Sequence, residues 1–129
     1  MELLPQGKKN NVNVTFEDQQ QINKFSKLIM RKDNLEKELS QQRQEKDYLD
    51  DVSLELELVD EDELVPYKIG AIFVHLKQSE VVEQLERDAE IVDGVIESLE
   101  AQQTELDEDI RVLKSSLYGK FGDNINLER

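Results

Sequence analysis

The spacing of apolar side chains divides this chain into two helical stretches around a short stretch of a different kind. In the second half, Val82, Leu85, Ala89, Val92, Ile96, Leu99, Gln103, Leu106, Ile110, Leu113 and Leu117 follow alternating steps of three and four. Only Gln103 interrupts an apolar stripe of about five heptads, long enough to specify a coiled-coil seam. Ser79 stands where an N-cap belongs, with Glu80 in the first turn. Gly94 lies off the seam and weakens the helix by about 1 kcal/mol relative to alanine without breaking the stripe. The pattern predicts a helix over 79–118.

A fainter copy of the same pattern fills the first half. Phe25, Leu28, Lys32, Leu35, Leu39, Gln42, Lys46 and Leu49 take the three–four steps, with Ile22 and Ile29 beside them. Thr15 and Asp18 have the spacing of a capping box, with Asp18 in the place usually held by Glu or Gln. No proline or glycine lies between Gly7 and Pro66, so the predicted helix runs over 15–60. Two patterns compete at its end. Leu54-Glu55-Leu56-Glu57-Leu58 alternates as a strand does, while Leu49, Val52, Leu56 and Val59 keep helical spacing. Asp50, Asp51, Glu55, Glu57, Asp60, Glu61, Asp62 and Glu63 form an acidic run without a base. Acids there oppose the helix dipole and argue against helix beyond Asp60.

Between the helices, Leu64–Ile69 and Ala71–Leu76 are β-branched or aromatic in character and flank Gly70, which predicts a hairpin over 64–76. Pro66 confines its strand to an edge or a strand beginning. Long helices joined this closely fold back antiparallel, and residues face each other where their numbers add to about 139. Lys32 then meets Asp107, and Lys46 meets Asp93. The same register gathers Phe16, Ile22 and Phe25 with Leu117, Tyr118 and Phe121 at the free end of the hairpin of helices. Two readings of that cluster stay open: a surface that binds something, or a staple holding the helix ends together. Val65, Tyr67 and Ile69 share one face of their strand, Ile72, Val74 and Leu76 share a face of theirs, and Phe73 points the opposite way. A two-stranded sheet is marginal alone, so these strands are expected to pair with strands of other chains. Packing only on their own coil is the alternative.

Composition narrows the chemistry. The chain has 129 residues, enough for one domain, and a formal net charge of −14. That charge disfavours nucleic acid and anionic membranes as partners. It has no cysteine and a single histidine, His75, which excludes disulfides, thiolate nucleophiles and Cys-based zinc sites. His75 is expected to be an ordinary strand residue. Asp60–Glu63 lacks the loop pattern of a calcium site, and Gly119 and Gly122 occur without a GK[ST] sequence. The longest apolar run, Ala71–Val74, is far too short to span a bilayer, and the first residues lack a signal-peptide core. The expectation is a soluble intracellular protein that is not an enzyme, with no catalytic, cofactor-binding or metal-ligating residues.

At this point the residues resemble a known family. Helix, hairpin and helix arranged around Val65-Pro66-Tyr67-Lys68-Ile69-Gly70 resemble a β-type subunit of the prefoldin family. Thr15-Phe16-Glu17-Asp18-Gln19-Gln20, with Ile22-Asn23 and Phe25-Ser26, and the stretch Leu117–Glu128 resemble one eukaryotic branch of it more closely. The likeness runs from about residue 12 onward. Gly119 stands where that branch has alanine, which would loosen the last helical turn.

The resemblance implies a mainly α fold: a long antiparallel two-helix coiled coil whose short β-hairpin contributes to an oligomeric β-barrel. It implies a flexible segment over 1–14, a single prefoldin-like domain over 15–129, and a tail over 119–129. It implies a cytoplasmic heterohexamer, in which the partners are two α-type and three further β-type subunits, with no cofactor. Members of the family capture unfolded chains, notably actin and tubulin, at coiled-coil tips without ATP and deliver them to the cytosolic chaperonin. By position, assembly falls to Val65, Tyr67, Ile69, Ile72, Phe73 and Val74, and client contact to Phe16, Ile22, Phe25, Leu117, Tyr118 and Phe121. The competing reading is a structural coiled-coil adaptor that binds one folded partner.

Overall fold

The structure, a computed structural model, describes residues 15–122 and 125–127. The expected segment over 1–14 and parts of the expected tail lie outside the described residues. Helix α1 spans Phe16–Leu56, strands β1 and β2 span Leu64–Ile69 and Ile72–Lys77, and helix α2 spans Gln78–Phe121. The chain divides into two compact units. A terminal unit joins the chain up to Lys37 with the chain from Ala101 onward, and a hairpin unit comprises Glu38–Glu100.

Within each unit the segments of α1 and α2 pack along the three–four seams. Every seam position named above in α2 is buried or half-buried, Gln103 included. In the terminal unit Lys32 Nζ lies 2.9 Å from Asp107, and in the hairpin unit Lys46 Nζ lies 2.6 Å from Asp93. Both pairs match the antiparallel register read from the sequence. A lysine inside an apolar seam keeps its stem in the seam and its ammonium at the rim, where the facing acid meets it.

Helix α1 starts with a complete capping box. The Thr15 N–H donates to Asp18 Oδ2 at 3.0 Å, and the Asp18 N–H donates to Thr15 Oγ1 at 3.1 Å. The helix ends at Leu56, four residues short of the expected Asp60. The acidic run favours the early end, because in further turns of helix its carboxylates would face the negative end of the dipole. Short turns follow, with the Leu58 and Val59 N–H groups donating to the carbonyls of Glu55 and Leu56.

The same loop caps α2, which revises the expectation for Ser79. Strand β2 runs directly into α2, so the first free N–H groups of the helix meet loop carbonyls: Gln78 donates to Glu63 at 2.8 Å and Ser79 to Glu61 at 3.2 Å. The buried Gln78 side chain donates at 2.8 Å to the Leu56 carbonyl, giving that acceptor at the end of α1 a second donor beside the Val59 N–H. At its other end α2 continues past the expected 118 to Phe121. Gly119 does not loosen it, because Lys120 is tied to Asp18 and Phe121 is buried. Gly122, at φ +55°, ends the helix in the left-handed conformation that glycine adopts most readily.

β1 and β2 pair antiparallel from Leu64↔Lys77 to Ile69↔Ile72, leaving Gly70-Ala71 as a two-residue turn. Gly70 has φ +60°, the conformation that a glycine in first place supplies to such turns. The pairs Val65↔Leu76, Tyr67↔Val74 and Ile69↔Ile72 stand directly opposite each other. Both apolar triplets therefore share one face of the ribbon, with Phe73 on the other.

Candidate binding surfaces

In the hairpin unit the ribbon is held to its helices at one end and open at the other. Val65, Tyr67, Val74 and Leu76 are half-buried, whereas Ile69, Ile72 and Phe73 are 54%, 64% and 67% exposed. The Tyr67 hydroxyl donates to Asp88 on α2 at 3.3 Å. Partial burial, and then the neighbouring Asp88 charge, push the Tyr67 phenol above its ordinary pKa, so it stays a neutral donor. A groove of about 440 Å³ opens beside this anchor, lined by Tyr48, Val52, Tyr67, Phe73, Val81 and Leu85 among others. The exposed side chains of Tyr48, Ile91 and Val95 went unnoticed in the sequence, since they lie off the seam. The register held the clue for one pair, because it sets Tyr48 opposite Ile91. Among the described residues, no group of acids and histidine is arranged to hold a metal ion.

The terminal unit treats its apolar residues differently. Of the client-contact residues named from position, Ile22, Phe25, Leu117 and Phe121 are only 1–5% exposed. They lie in the unit's own core rather than on its surface. Their burial is what a staple of the helix ends requires. Phe16, the first residue of α1, is 77% exposed, and Tyr118 is half-buried. Beyond Gly122, Ile125 and Leu127 are buried too, and the Leu127 N–H donates to Tyr118 Oη at 3.2 Å.

The two helix ends of this unit are also joined electrostatically. Lys120 Nζ lies 2.6 Å from both carboxylate oxygens of Asp18. The hydrogen bond from Lys120, followed by that from the Thr15 backbone, holds the Asp18 carboxyl below the usual carboxylate range. The capping role of Asp18 was legible from local spacing. Its second role was not, because Lys120 is remote in sequence and only the register brings it near.

Comparison with known proteins agrees with this architecture. The family described as prefoldin subunit matches residues 19–124. The chain is 65% identical over 129 residues to prefoldin subunit 4 of Saccharomyces cerevisiae, covering 100% of both. It is 40% identical to prefoldin subunit 4 of Homo sapiens, covering 92% of this chain and 89% of that one. The crystal structure of the prefoldin beta subunit from Thermococcus strain KS-1 superposes with a TM-score of 0.77 at 16% identity, over 85% of this chain and 96% of that one. At that identity the likeness speaks for the fold alone. No helix among the described residues is long and apolar enough to cross a membrane.

Proposed function

The chain belongs to the prefoldin family and is a subunit of a prefoldin chaperone complex, and from that premise we propose that it works within a cytoplasmic hexamer that captures unfolded proteins without ATP. Its neighbours are two α-type and three further β-type subunits, whose hairpins join its own in a shared β-barrel. The clients include unfolded actin and tubulin, which the complex delivers to the cytosolic chaperonin. The chain performs no catalysis.

The observation that carries this reading is the ribbon. Among the described residues its sheet contains only β1 and β2, so each strand keeps one side unpaired by any of them, and Ile69, Ile72 and Phe73 project into solvent. Such a ribbon gains both hydrogen bonds and apolar burial when strands of another subunit flank it. Client contact falls to the terminal unit, with Phe16 and Tyr118 meeting the client and Ile22, Phe25, Leu117 and Phe121 supporting them from within. One exposed aromatic gives a weak contact, and several subunits acting together convert weak contacts into avidity.

Native mass spectrometry of the complex purified from cells tests the assembly, with six prefoldin-type subunits expected and one copy of this chain. Recovery of the chain as a stable lone monomer would overturn it. Suppression of aggregation of denatured actin by the purified complex, with ATP absent, tests the activity. A strict ATP requirement would refute that part.

A further inference from the structure

We infer that the terminal unit carries a binding site for an extended chain segment with aliphatic side chains at alternate positions, and that Ile125 and Leu127 of this same chain occupy it. The inference rests on the reading that the complex captures unfolded proteins, and it names the kind of segment that this subunit takes.

Ile125 and Leu127 are 4% and 3% exposed, while Asn126 between them faces solvent. Side chains alternate about an extended backbone, so two aliphatic groups turn inward and the middle residue turns outward. The Leu127 backbone N–H donates to Tyr118 Oη. That bond recognises main chain rather than a side chain, so every residue except proline satisfies it. Two apolar seats and a main-chain contact make little demand on sequence. Extended peptides are bound in this manner wherever the main chain supplies affinity and alternate side chains fill pockets. An amphipathic strand that has lost its sheet offers such a segment, whereas a folded protein buries it.

Occupation by the chain's own residues also sets the strength of capture. A client must displace Ile125 and Leu127, so its apparent affinity falls in proportion to the fraction of time the site is free. Displacement works in both directions, and the resident segment then helps to expel the client when it is handed on.

The test uses the assembled complex and a fluorescent denatured client bearing a photoreactive group. Capture is read as client cross-linked to this chain, so that other subunits do not mask the effect. Replacing both residues, Ile125→Asn with Leu127→Asn, should tighten capture on the order of tenfold. A synthetic peptide of residues 122–129 should compete with the client, both on this variant and, at higher concentration, on the wild-type complex. The same peptide with both aliphatic residues changed to Asn should not compete. If the double variant fails to fold, the wild-type competition decides the matter alone. Unchanged or weaker capture by a folded double variant, or failure of the natural peptide to compete on the wild type, overturns the inference. A wild-type complex that captures no client at all would instead refute the proposed function.

Discussion

Ile22, Phe25, Leu117 and Phe121 in the terminal unit are almost fully buried, while Ile69, Ile72 and Phe73 in the hairpin unit are more than half exposed. Both clusters are apolar, and both sit where long helices begin, end or turn. What differs is the number of elements available to cover them. In the terminal unit two helix segments meet, and Ile125 and Leu127 are buried with them. In the hairpin unit the ribbon has its helices near one end, and among the described residues nothing covers Ile69, Ile72 and Phe73 at the other. An apolar cluster in a sequence therefore signals burial without saying whose atoms provide it.

The sharpest way to break this contrast is to remove the apolar groups of the ribbon. Ile69→Asn with Ile72→Asn should leave the chain's own fold within about 0.5 kcal/mol, since exposed positions contribute little to it. The same change should abolish recovery of this chain in the native complex, read by native mass spectrometry. Intact assembly would mean that the ribbon is not the joining surface. Leu117→Ala should do the reverse. Its side chain is 1% exposed, and truncating a buried leucine costs about 2–5 kcal/mol. Hydrogen exchange of the assembled complex should show protection lost around Leu117, Phe25 and Phe121 while the ribbon stays in its complex.

Glycines sharpen the contrast on a smaller scale. Gly122→Ala places a side chain at φ +55° and should destabilise the terminal unit by about 1 kcal/mol. Gly94→Ala, in the hairpin unit, meets open space around its added Cβ and should stabilise α2 by about 0.5–1 kcal/mol. Opposite signs in the corresponding melts are the expected outcome.

The helices, their antiparallel register and the hairpin were legible because each is written in local spacing. Lys32–Asp107 and Lys46–Asp93 followed from the turn position alone. The end of α1 was not, because Leu54, Leu56 and Leu58 keep strand spacing while Leu49, Val52, Leu56 and Val59 keep helical spacing through the same residues. One contact made at that end, Gln78 on the Leu56 carbonyl, joins residues far apart in sequence. The candidate client site was half legible for the same reason. Spacing named its residues, but their burial depended on packing that spacing does not describe.

The smallest expected effect separates the units by pH. In the terminal unit the Asp18 carboxylate is held by Lys120 first and by Thr15 second, and its pKa lies below the ordinary value of 3.8. A group whose folded pKa is depressed contributes stability above its unfolded pKa, and the contribution is lost as pH falls through the folded value. Lys120→Met should therefore lower the melting temperature of the terminal unit by a constant amount from neutral pH down to about pH 5. Below that, the gap between wild type and variant should narrow and close as pH falls through the lowered folded pKa, because protonated Asp18 no longer gains from the lysine. The variant should retain a weaker acid dependence of its own, since the Thr15 N–H still favours the ionised carboxyl. A gap that stays constant through the acid range would show that Lys120 stabilises the unit through the packing of its stem rather than through its charge. The capping box would then act alone at the start of α1, and the electrostatic tie between the two helix ends would have to be given up.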